Sequence, residues 1–358
     1  MKKKSAIINK WAAFFLVLSS CTPRDSDFFD YEVHEIADIA VADTLFPQAA
    51  VNAGRNTGRF SVVSDSLLIT YLGRDSFFEI SQLNTGDSLG ILCRRGRGPG
   101  ELLAALPGCD SDAGVFRTVD PINSLFCEID VQRSLETGST EYLGTYKYAF
   151  STESIAPITS AYRLSEGKYL LFNPGYSSGE RHDLLEIPYY AIFENNSPEL
   201  KVKIPLGRPG SVRAARHRPA VGLGQILYPS DALNKEKDRL AFVLGDFPVY
   251  GYIDLETGKR EGFRLSGHSS FNGGDLLFQF SGVCSDESRL YALYHGRQEP
   301  FASEGDTYLY VMDWLGNLVR KYVLRGVFDQ IVSSKDKVWL SSRVGTRLYY
   351  IDKEILSQ

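Results

Sequence analysis

The sequence predicts an all-β chain folded as a six-bladed β-propeller, with an N-terminal strand closing the last blade. Composition is the first reason. The chain has 358 residues with only two Met but twenty Tyr and twenty-one Phe, a balance that suits strands better than helices. The second is a recurring hairpin, in which two apolar runs flank a short turn of small and charged residues. The third is a recurring anchor, an acid or amide after an apolar pair, at Asn84, Asp130, Glu194, Asp254, Asp313 and Asp352. A supersecondary unit with loops of variable length repeats in this way. Two hairpins per unit make a four-stranded blade, and six blades close a ring. Two independent β-sandwiches are the alternative, but no Pro/Ser/Gly-rich linker divides the chain.

Along the chain, residues 1–20 come first. Lys2-Lys3-Lys4 and Lys10 precede the apolar run Trp11–Leu18, which ends in Ser19-Ser20-Cys21. A basic head, a short apolar core and small residues describe a secretory signal peptide. The run is too short for a membrane-spanning helix, which needs about 20 apolar residues. Residues 21–43 are read as a tether and ring-closing strand, since Tyr31-Glu32-Val33-His34-Glu35-Ile36 alternates apolar and polar positions. Residues 44–358 form the propeller. Its hairpins read Ser61–Ile69, Tyr162–Phe172, Val283–Leu293 and Ile331–Leu340, with Val115–Ile129 and Asp231–Leu244 as weaker copies. Few residues follow Asp352, so the last unit lacks an outer strand and the N-terminal strand is expected to supply it. An open ring would expose a sheet edge to aggregation.

Two resemblances add to this reading. Leu18-Ser19-Ser20-Cys21 resembles the lipobox of bacterial lipoproteins, which implies lipidation of Cys21 as the first mature residue. Thr22, rather than an acid, follows the cysteine, and by that resemblance the outer membrane is the destination. Asp25, Asp27 and Asp30 loosely match the acidic export tract of surface lipoproteins of Bacteroidetes, so either the periplasmic side or the cell surface is open. Arg95-Gly96-Arg97-Gly98-Pro99-Gly100-Glu101 resembles the turn between the first two blades of TolB-like six-bladed propeller lipoproteins of Bacteroidetes. Tyr291–Arg297 and Val311–Asn317 resemble the fifth blade of that family. The resemblance implies a fold and a location, and no activity.

Charge narrows the partners. Residues 1–20 carry four lysines and no acid, so their removal takes the formal charge from −5 to −9. That argues against nucleic acid, which needs a basic face, and leaves the lipid as the sole link to the membrane. Besides Cys21 there are Cys93, Cys109, Cys127 and Cys284. They allow three pairings and lack close zinc-site spacing. Cys127 and Cys284 read as buried thiols, and Cys93 with Cys109 is the pairing to test first.

Two places carry binding chemistry. The turn around Gly96–Glu101 is a compact structural turn whose backbone N–H groups and Arg97 give it a second reading as an anion contact. The stretch from Gly207 to Gly222 places Arg208, Arg213, Arg216 and Arg218 around His217 with no acid among them. Arginine forks suit carboxylate and phosphate, and an inter-blade loop lines one face of the ring, where the funnel opens. A solvated loop paired to neighbouring acids is the plainer reading. His295 and Arg297 end an inner-strand pattern and are placed facing the funnel, against a structural role for the histidine. Asp254 and Asp313 are turn residues. No catalytic residue, cofactor or metal ligand is assigned, since H-E-x-x-H and G-x-S-x-G are absent. The expected function is therefore a binding module for a cell-envelope protein or an anionic glycan or peptide, with enzymatic activity the less favoured option. The rivals are a metal-dependent lactonase- or lyase-like hydrolase on the same fold, and a purely structural envelope lipoprotein.

Overall fold

In the computed structural model, the described residues are 28–52, 59–106, 111–112, 114–149, 160–174, 187–194, 197–208, 227–268, 278–297, 305–342 and 347–357. Three strands come first: β1 (Val33–Ile36), β2 (Asp43–Leu45) and β3 (Gln48–Asn52). The first blade is β4 (Phe60–Val63), β5 (Leu67–Tyr71), β6 (Ser76–Gln82) and β7 (Ser88–Arg94). The second is β8 (Ser111–Asp112), β9 (Val115–Asp120), β10 (Leu125–Asp130) and β11 (Glu141–Lys147), with the short helix α1 (Val131–Thr137) before its last strand. The third is β12 (Ala161–Ser165), β13 (Lys168–Asn173), β14 (Tyr189–Glu194) and β15 (Ser197–Pro205). The fourth is β16 (Pro229–Leu233), β17 (Arg239–Leu244), β18 (Val249–Asp254) and β19 (Arg260–Leu265). The fifth is β20 (Phe278–Ser285), β21 (Arg289–Arg297), β22 (Asp306–Asp313) and β23 (Leu318–Arg325). The sixth is β24 (Gln330–Ser333), β25 (Lys337–Ser341) and β26 (Arg347–Asp352), followed by α2 (Lys353–Ser357). These strands make six sheets, each built on an antiparallel meander, with β1, β2 and β3 added at outer edges. The innermost strands β16, β20, β24, β4 and β8 follow one another as neighbours round the axis. This is the six-bladed propeller.

The apolar runs follow from burial on both faces. In Leu240-Ala241-Phe242-Val243-Leu244, alternate side chains point to opposite faces of the blade. Leu240, Phe242 and Leu244 pack against the third blade, while Ala241 and Val243 pack against the fifth. Each of the six seams between blades holds its own apolar cluster in this way. Cys93, Cys127 and Cys284 are buried thiols within these seams, and the expected partner of Cys93 was Cys109. Cys109 itself lies outside the described residues. All six repeating anchors stand at or just after the end of a blade's third strand. The Asp254 carboxylate accepts the N–H groups of Glu256 and Thr257 at 3.1 and 2.7 Å, and Asp313 accepts those of Leu315 and Asn317, both at 2.9 Å. Asp130 uses the same chemistry to cap α1, accepting from Arg133 N–H at 2.9 Å. The weaker copy Val115–Ile129 is displaced by one strand. It is the second-to-third hairpin of its blade, because the innermost strand there is only Ser111–Asp112.

The ring closes with a different segment from the one the sequence suggests. Gln48–Asn52 pairs antiparallel with β26 and completes the sixth blade. Tyr31–Ile36 does not reach it. Val33–Ile36 instead adds in parallel to β19, on the outer edge of the fourth blade, and Asp43–Leu45 adds in parallel to β23 of the fifth. Alternation identified a strand but not its partner, since all outer edges offer similar backbone groups. Residues 28–52 thus form a strap over three blades. Phe28 and Phe29 are buried in the seam of the third and fourth blades against Phe247. Between β1 and β2, Asp38 accepts from the Tyr310 hydroxyl at 2.9 Å, meets His268 Nε2 at 3.0 Å and pairs with Lys321.

Candidate functional site

Antiparallel order assigns every connection to one end of the ring. Links from an outer strand to the next innermost strand, and from second to third strands, gather at the end where the innermost strands begin. We call this the upper face. Its connections include residues 95–110, 148–160, 174–188, 206–228 and 266–277. At the lower face the links are short, such as 64–66, 166–167, 195–196 and 286–288; the longest, 131–140, holds α1. In sequence the Arg-rich stretch lies between β15 and β16, whose facing ends are at the upper face. Of its residues Arg208 is described and exposed, its N–H donating to the Phe28 carbonyl at 2.8 Å. Arg208 also lines a cleft of about 410 Å³ with strap residues Phe29–Val33 and Glu35, and with Arg264. Arg213, Arg216, His217 and Arg218 lie outside the described residues, as does Cys21.

The Gly96–Glu101 turn follows β7 on the same face. Glu101 folds back into it, and its Oε2 accepts the Gly98 N–H at 2.7 Å. A Cβ on Gly96 would stand 1.9 Å from that oxygen, so a side chain there would require the Glu101 carboxylate to move aside. The turn's own carboxylate thus takes an amide that an outside anion would need. Arg95 lies 4.9 Å over the Phe77 ring, whereas Arg97 is exposed.

His295 and Arg297 differ from the sequence reading. They lie on β21, the second strand of the fifth blade rather than the innermost one, and His295 is only 5% exposed. The reason is that the inner strand β20 precedes the apolar stretch that the sequence marks most strongly. Arg297 Nη2 donates to His295 Nδ1 at 3.2 Å, so the ring proton sits on Nε2 and is donated to Ser281 Oγ at 2.9 Å. Burial and then the Arg297 charge push this imidazole down to about 3. It is a neutral, wedged side chain, packed beside Phe278.

Among the described residues the structure assembles buried polar groups that the sequence reading missed, and one lies on an innermost strand. Asp231 stands on β16, the innermost strand of the fourth blade, and faces the third. Its Oδ1 accepts from Tyr162 at 2.6 Å and its Oδ2 from Tyr190 at 2.5 Å, and Ser160 adds a third hydroxyl. Burial raises the Asp231 carboxyl above its ordinary value, opposed by these hydroxyl bonds and by the charge of Arg59. Arg59 precedes the innermost strand of the first blade, which is the fourth blade's opposite in a six-membered ring. In sequence, the only hint was an acid at an inward position of a weak hairpin copy. Among the described residues, no three His, Cys, Asp or Glu side chains converge to hold a metal ion.

The class defined by this architecture is the six-bladed β-propeller. No family model and no curated protein matches the chain. Solved structures similar to it are also propeller proteins. A putative exported protein from Bacteroides fragilis is 11% identical, with coverage of 89% of this chain and 99% of the other and a TM-score of 0.49. BamB from Moraxella catarrhalis is 10% identical over 82% and 85%, TM-score 0.41. Virginiamycin B lyase from Staphylococcus aureus is 11% identical over 83% and 80%, TM-score 0.44.

Proposed function

We propose that the protein is an outer-membrane lipoprotein, anchored through Cys21, whose propeller acts as a binding module for a cell-envelope protein or an anionic glycan or peptide. The observation that carries this reading is the inequality of the two faces. The links that join one blade to the next are long, and the sequence puts Arg208, Arg213, Arg216, His217 and Arg218 between the third blade and the fourth. Variable loops on a rigid scaffold are a common place for recognition. Arginines in a domain of acidic net charge mark where an acidic partner is favoured. Arg97 stands on the same face, whereas His295 and Arg297 support the wall of the ring.

The test is proximity crosslinking in intact cells with wild type and Arg213→Ala/Arg216→Ala/Arg218→Ala. Capture of a defined envelope protein or glycan by wild type, and its loss in the variant, is expected. Equal capture by both moves the interface off the basic loop.

A further inference from the structure

We propose that the cleft lined by the strap, Arg208 and Arg264 is a binding site for a short peptide with both ends free. This site stands apart from docking at the basic stretch, although Arg208 borders both. The cleft holds about 410 Å³, within the range of small-ligand pockets, about 300–1,000 Å³. Its floor is apolar and fixed. Phe29, Tyr31 and Val33 line it, and all three pack into the seam of the third and fourth blades. Arg260 holds this part of the strap, bonding Asp30 at 2.8 and 3.3 Å and lying 5.1 Å over the Tyr31 ring. The Gly262 N–H adds a bond to the Glu32 carbonyl at 3.0 Å. The rim carries both signs of charge. Arg208 is exposed at one end, where its N–H donates to the Phe28 carbonyl at 2.8 Å. Glu35 is exposed at the other end, beside Arg264 in the parallel register of the strap with β19.

The arrangement of these charges selects the occupant. Asp30 is committed to Arg260, and Glu32 stands 3.6 Å from His34 Nδ1. Arg208 and Glu35 therefore define the two poles, with the apolar floor between them. A simple anion or a simple cation meets only one pole. A zwitterion whose charges share one carbon also meets only one. Extended chain advances about 3.3 Å per residue, so a peptide of three residues sets its ends roughly 10 Å apart. Its carboxylate meets the planar fork of Arg208, and its ammonium group meets Glu35. Its side chains lie on Phe29, Tyr31 and Val33.

The experiment uses the full mature chain and ligand-observed NMR, with trialanine, N-acetyl-trialanine and trialanine amide as probes. Trialanine is expected to bind, and blocking either end to weaken binding about tenfold or more, as loss of a charged hydrogen bond implies. Two variants assign the ends. Glu35→Gln is expected to weaken trialanine and its amide but not the acetylated peptide, which has no ammonium group. Arg208→Gln is expected to weaken trialanine and the acetylated peptide but not the amide. Both residues are exposed, so melting midpoints equal to wild type are expected. The triple arginine variant of the basic loop is expected to keep peptide binding, which separates this site from the docking surface. Absence of trialanine binding by wild type, equal binding of the blocked peptides, undiminished binding by Glu35→Gln, or loss of binding in the triple variant overturns the proposal.

Discussion

At the residue scale, the polar side chains that looked most suggestive in sequence divide by burial. His295 beside Arg297 reads as a functional pair until its surroundings are known. Once walled in, the imidazole is held neutral, with a value of about 3 against an ordinary 6.5. The unfolded chain therefore binds a proton more readily than the folded one between those values. Stability tied to His295 is complete above pH 6.5 and is lost as pH falls toward 3, by up to about 1.4 kcal/mol per pH unit. Urea midpoints measured from pH 7 to pH 4 are expected to fall less steeply in His295→Gln than in wild type, and parallel curves would show that the residue titrates normally. Glycine at 96 is crowded by the Glu101 carboxylate, the free end of a flexible side chain. Gly96→Ala is expected to push that carboxylate aside and to cost about 0.5–1.5 kcal/mol in thermal or urea unfolding, the worth of the Gly98 hydrogen bond it breaks. In a Glu101→Ala background the same substitution should cost almost nothing, because the obstacle is gone. The sequence showed the three glycines of this turn but not the carboxylate that fills it, since Glu101 is only three residues beyond Gly98 and nothing in spacing tells which way it turns.

At the element scale, the strand pattern was legible and the pairing was not. Strands buried on both faces have continuous apolar runs, and the turn acids Asp254 and Asp313 mark where third strands end. Those features are local, so they survive in the sequence. Partner choice is not local. The strap contains three strand-like stretches, and only the fold shows that β1 and β2 lie on neighbouring blades while β3 closes the ring. Asp38 explains how the middle of the strap is fixed. Burial opposes its charge, but the bonds from Lys321, His268 and Tyr310 outweigh burial and leave its carboxyl below the ordinary value. Asp38→Ala strips that support and leaves Lys321, itself mostly buried, without its carboxylate. The expected loss is about 1–3 kcal/mol. Amide exchange should speed up in β1 and β2, while β9 and β10, on the far side of the ring, keep their protection. Uniform acceleration in all blades would mean that the strap has no separate stability.

At the scale of the whole molecule, the strap joins two jobs that the sequence presented as separate. Tether and propeller were divided at residues 43 and 44, yet chain entering at Phe28 is already buried in the seam of the third and fourth blades. Cys21 is seven residues upstream, a span of roughly 25 Å when fully extended. A lipid there would therefore hold the ring close to the membrane through an element that is also part of its closure. The lipobox resemblance was readable because lipidation recognises a short linear pattern. The Asp231 cluster was not, because its hydroxyls come from Tyr162, Tyr190 and Ser160, a blade away in space and about 40 to 70 residues away in sequence. The same reasoning separates two variants. Cys21→Ser is expected to shift the protein from the membrane to the soluble fraction with its melting midpoint unchanged, because the ring and strap remain whole. Deletion of Gln48–Asn52 leaves β26 as an unpaired edge in an open ring. It is expected to lower the midpoint and cause aggregation on heating, as exposed strand edges do. Fractionation and a melting curve of each variant distinguish anchor from closure. A Cys21→Ser protein that stays with the membrane would show that lipid is not what holds it there, and a deletion that melts like wild type would show that the sixth blade closes without β3.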